Sequence, residues 1–112
     1  MAIKVPKFKK ASRAAAWIAK SITTKTWTQG AMARDRTGVV VDVEDPKATS
    51  FCALGWIDKA DQGMEEKLRA AFRDATRCSN CIDDYNDDSY VSYKHIRQAF
   101  RDAAKLLKAK EA

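Results

Sequence analysis

A chain of 112 residues, 46% hydrophobic and 32% charged, has the size and composition of one ordinary globular domain, which favours neither disorder nor a fibrous repeat. No stretch approaches the roughly 20 apolar residues of a membrane span, and the basic start carries no apolar segment of a secretory signal, so a bacterial cytoplasm is expected. The net charge of +6 is uneven: residues 1–36 hold nine Lys or Arg against one acid, residues 37–112 twelve against fourteen, so an anionic partner near the N-terminal third is weighed against a solvated basic arm over residues 1–7.

The first helix is predicted from near Phe8 to Ile22, where Ala11, Ala14, Ala15, Ile18 and Ile22 recur at helical spacing and Lys10, Arg13 and Lys20 fall elsewhere. Its apolar side is mostly small, so a neighbour must pack close. The β-branched run from Ile22 to Thr28 favours extended chain. Two strands between Trp27 and Val43 flank Asp35-Arg36-Thr37-Gly38, where Gly38 can supply a positive φ, predicting a β-hairpin.

Asp45-Pro46 carries the signature of a helix N-cap with Pro at the first helical position, so a second helix is expected to run on to about Ala60. A third, about Gly63 to Arg77, has Met64, Leu68, Ala71, Phe72 and Ala75 on one face, early acids and late arginines. The polar run Ser79 to Ser89 breaks it. Ser92 can cap a last helix with Ile96, Ala99, Phe100, Ala103 and Leu107 as its buried stripe, and residues 108–112 are expected to fray. The expected fold is a single α+β domain of about four helices packed with a small β-hairpin.

Cys78-Ser-Asn-Cys81 has the spacing that lets two thiolates reach one zinc, and Cys52 with the sole histidine, His95, would complete a tetrahedral set. Cys52 lies among apolar neighbours, where cysteine serves as a small buried hydrophobe, so neither metal nor cofactor is expected. The acidic run from Asp83 to Asp88 starts like a calcium loop, but Ser89 and His95 stand where glycine and a bidentate carboxylate are needed. No nucleophile elbow, zincin helix or phosphate-binding glycine loop is present. A cysteine-dependent enzyme would need Cys52 beside His95, and no enzymatic activity is expected.

The blocks Trp27-Thr-Gln-Gly30, Ala33-Arg-Asp35, Asp45-Pro-x-Ala48, Cys52-Ala-x-Gly55 and Tyr85-Asn-Asp87 resemble the pattern of a family of uncharacterised small bacterial and phage proteins, over about residues 11–107. Tyr85 stands for a Trp, Trp56 for a small residue, and the pair Cys78/Cys81 is foreign to the pattern. The resemblance implies a phage or mobile-element setting and assigns no activity.

Binding is therefore expected to be the activity. A phage-type protein would counter a host defence by holding a nucleotide signal or a host protein, with Trp27, Gln29, Arg34, Asn86 and Asp87 around one polar site offering an aromatic face, amides, a cation and a carboxylate. The same groups can instead tie buried backbone. A nucleic-acid-binding accessory protein would use Lys4, Lys7, Lys9, Lys10 and Arg13, with Lys105 to Lys110, for phosphate contacts. Oligomeric state is open.

Overall fold

The computed structural model describes residues 3–78 and 82–111. Among these, the fold is α+β: α1 (Ala11–Ser21), β1 (Ala33–Asp35), β2 (Ala48–Phe51), α2 (Ala53–Ala60), α3 (Glu65–Thr76), α4 (Ile82–Asp87) and α5 (Tyr93–Glu111). None of the helices is long and apolar enough to cross a membrane.

The helical spacing of small residues in the first segment works out as a close helix pair. Ala11, Ala14, Ala15, Ile18 and Ala19 of α1 are buried, as are Ile96, Ala99, Phe100, Ala103 and Leu107 of α5, and these two helices share the most extensive contact in the molecule. They run antiparallel. At one end Arg97 Nε and Nη2 donate to the Ile22 carbonyl at 3.2 and 2.9 Å; at the other, the backbone N–H and hydroxyl of Ser12 both donate to the Glu111 carboxylate. α5 thus continues as helix to Glu111, past the Leu107 where fraying was expected.

The predicted hairpin forms its turn and then pairs differently. Gly38 takes a φ of +91°, and the Asp35 carboxylate accepts from Thr37 N–H, Thr37 Oγ1 and Val39 N–H. These bonds, the Thr37 hydroxyl's foremost, hold that carboxyl below its ordinary range. Beyond the turn only an isolated bridge joins Arg34 to Val40. The strand partner of β1 is β2, antiparallel, with Ala33 opposite Phe51, Arg34 opposite Ser50, Asp35 opposite Ala48 and a bulge between Arg34 and Asp35. Burial decides the pairing: Val39 and Val40 stay 58% and 60% exposed, while Ala48, Ser50 and Phe51 are buried.

The helix expected from Asp45-Pro46 starts later for the same reason. Asp45 caps a turn instead, accepting at its side chain from Lys47 N–H and at its carbonyl from Ala48 N–H, and the chain then enters β2. α2 begins only after Cys52, whose sulfur accepts from Gly55 N–H at 3.2 Å, and ends at Ala60 as predicted. Gly55 must be glycine: a Cβ there would lie 2.1 Å from the Met32 carbonyl oxygen. Trp56 is fully buried against Phe51, ring centroids 4.9 Å apart, and donates Nε1–H to the Thr26 carbonyl.

The polar run after α3 holds a fifth helix that its composition concealed. α4 is short, placing Ile82 and Asn86 inward and Asp83 and Asp84 in its first turn, where acids complement the helix dipole. Tyr85 meets Phe72 edge-on at 5.9 Å, and Phe72 meets Phe100 at 4.9 Å. The N-terminal segment also packs: Ile3, Val5 and Phe8 lie partly buried on the core, and Gln62 accepts from Phe8 N–H at 2.8 Å and donates to the Pro6 carbonyl at 2.6 Å.

Candidate functional site

Four of the five residues singled out as a polar site, Trp27, Gln29, Asn86 and Asp87, meet where the segment before β1 touches α4, and Arg34, in β1, reaches of these only the Gln29 carbonyl. Asn86 is fully buried. Its Oδ1 accepts from Trp27 Nε1 at 2.6 Å and from Ala53 N–H at 2.8 Å. Its Nδ2 donates to the Thr28 carbonyl and to Asp87 Oδ1, each at 3.0 Å. Gln29 Nε2 reaches the carbonyls of Asn86 and Asp88 at 2.8 and 3.1 Å, and Gly30 N–H donates to Asp87 Oδ1 at 2.9 Å. Arg34 reaches the segments on either side of its strand, giving Nε to Thr28 Oγ1, Nη1 to the Gly38 carbonyl and Nη2 to the Gln29 carbonyl. The amides thus pair with backbone groups, the buried Ala53 N–H among them, and every guanidinium nitrogen of Arg34 has a protein acceptor.

The proposed metal set does not assemble among the described residues, which hold no trio of His, Cys, Asp or Glu arranged for an ion; Cys81 lies outside them. Cys52 is buried at the start of α2, 3.8 Å from the Met32 sulfur, and burial pushes its thiol up, the opposite of a thiolate nucleophile. His95 is exposed at the start of α5, where its Nδ1 accepts from Ser92 N–H at 3.0 Å. The two side chains have separate partners.

The cationic residues behave differently, because α1 turns its apolar side to α5 and leaves Lys10, Arg13 and Lys20 in solvent. Two adjoining grooves follow from this. One, about 550 Å³, is lined by Lys7, Phe8, Lys9, Lys10, Arg13, Ala16, Trp17 and Lys20 and contains no carboxylate. The other, about 510 Å³, runs from Lys10 and Arg13 across Ala16 and Ala104 to Lys105, Lys108 and Glu111.

Of the expected phosphate-contacting set, Lys7, Lys9, Lys10, Arg13, Lys105 and Lys108 line these grooves, and Lys4 and Lys110 do not. The structure adds Lys20, Phe8 and Trp17. Trp17 could have been found from the sequence: Lys10, Arg13, Trp17 and Lys20 repeat at three- and four-residue steps, which sets them on one face of a helix.

The chain belongs to DUF6197, a family of unknown function, whose model matches residues 9–106. No curated protein and no solved structure matches it.

Proposed function

We propose that this member of the family is a non-enzymatic binding protein that takes nucleic acid along the basic face of α1 and the C-terminal half of α5. One observation carries the proposal: seven cations line two grooves that share Lys10, Arg13 and Ala16, against a single carboxylate, Glu111. That carboxylate is already engaged by Ser12. A face of this kind attracts phosphates and releases their counterions, which makes affinity fall steeply with salt. The polar cluster around Asn86 supports a nucleotide site less well, because its donors are directed into the protein.

The test is a titration of labelled DNA oligonucleotides between about 50 and 200 mM salt, where five to seven phosphate contacts give a log–log slope of about −3 to −6. Arg13→Gln and Lys108→Gln should each flatten that slope by about 1. Absence of salt-dependent binding would overturn the proposal. Stoichiometric binding of a mononucleotide without binding of any oligonucleotide would favour instead a protein that counters a host defence by holding a nucleotide signal.

A further inference from the structure

We infer that the groove beside α1 is built for single-stranded nucleic acid, with Phe8 and Trp17 as the surface on which bases stack; this rests on the nucleic-acid function proposed for the same face. The two grooves share the cations Lys10 and Arg13 but not their floors. In one the apolar groups are Ala16 and Ala104, whereas the other holds two aromatic rings, Phe8 and Trp17, among Lys7, Lys9, Lys10, Arg13 and Lys20. Cations at a rim around π-faces suit a strand whose phosphates and bases are both reachable, since stacking accepts any base while the charges follow the backbone. A duplex keeps its base faces covered and can use only the cations.

The rings are also held in place before any strand arrives. Phe8 and Trp17 lie 5.7 Å apart between centroids, tilted by 53°. Behind Trp17 the buried Trp56 meets it edge-on at 5.8 Å. Gln62 fixes the backbone that carries Phe8 through bonds on both sides of Lys7, at Pro6 and at Phe8 itself. Rings fixed in advance lose little conformational freedom when a base stacks on them.

The experiment compares oligothymidylate with a strand of equal phosphate count made of abasic units, and with a duplex of equal phosphate count. Oligothymidylate should bind about tenfold tighter than the abasic strand, the effect of one good stacking contact. Equal affinity of the two, or a duplex that binds as tightly as oligothymidylate, would overturn the stacking inference and leave the basic-face proposal standing. No binding of any of the three would remove both. Oligouridylate compared with oligodeoxyuridylate, which carries the same base, assigns the sugar, a preference for the former marking RNA as the strand. On the protein side, Trp17→Leu should lose the tenfold advantage while keeping the abasic strand's affinity. Tryptophan emission quenched by oligothymidylate in the native protein should no longer respond in that variant, whose Trp27 and Trp56 do not line the groove. If Trp17→Leu fails to fold, the comparison among ligands decides alone.

Discussion

Asn86 joins three parts of the chain through one amide: the Trp27–Thr28 segment, the first residue of α2 and its own neighbour Asp87. Replacing it with alanine would leave Trp27 Nε1–H, Ala53 N–H and the Thr28 carbonyl without the partner they share, a side chain that is itself 0% exposed. Each such group carries its own desolvation cost, so Asn86→Ala should lower stability by about 3 kcal/mol, seen as a melting point reduced by roughly 10–20 °C. A loss under about 0.5 kcal/mol, the range of an ordinary surface change, would show that water or rearrangement replaces the amide. That these residues gather was legible in the sequence, because no helix face, cap or turn explained Gln29, Asn86 or Trp27. That their amides can tie backbone was legible too; which backbone groups they tie was not, since no side-chain pattern reveals the carbonyls that Gln29 meets or the Ala53 N–H that Asn86 accepts.

At the scale of elements, the facing of α1 and α5 could be read from two apolar stripes, whereas the strand partner of β1 could not. Both 39–43 and 48–51 carry residues able to extend, and only the tertiary burial of Ala48, Ser50 and Phe51 selects the second. The clasp between the two long helices was likewise hidden, as it joins residues 99 positions apart. α1 has no acid in its first turn and no side-chain cap, and Glu111 supplies from α5 the carboxylate that its N-terminus lacks. The hydroxyl of Ser12 is the main cause holding the Glu111 carboxyl below its ordinary range, with the Ser12 backbone N–H and the charges of Lys10 and Lys67 adding to it. A group with a depressed folded-state pKa stabilises above its unfolded value, about 4.3 for glutamate, and loses that contribution as the pH falls through the folded value. Urea denaturation of Glu111→Gln should therefore show a protein less stable than the native chain at pH 7 and indistinguishable from it at the acid end. A deficit that persisted unchanged into acid would mean that packing, and not the ionised carboxylate, holds the end of α5.

For the molecule as a whole, the question is whether the basic N-terminal segment serves the surface alone or also the fold. Its sequence interleaves the two: Lys4, Lys7 and Lys9 point to solvent, while Ile3, Val5 and Phe8 pack on the core and Gln62 holds the backbone between Pro6 and Phe8. Removing residues 1–10 would strip both at once. Losing the apolar burial that these three side chains supply should cost about 2 kcal/mol, a fall in melting temperature on the order of 10 °C, so weaker nucleic-acid binding after truncation would not by itself identify the cations as its cause. Charge removal in place separates the effects. Lys7→Gln with Lys9→Gln leaves every apolar anchor and both Gln62 bonds intact, so the melting temperature should stay within about 2 °C while oligonucleotide affinity drops and its salt slope flattens by about 2. Lys4→Gln is the internal control, because Lys4 stands outside both grooves and its loss should change affinity least. If Lys4→Gln weakens binding as much as the paired substitution does, attraction comes from the overall charge of the segment and the grooves do not define where the strand lies.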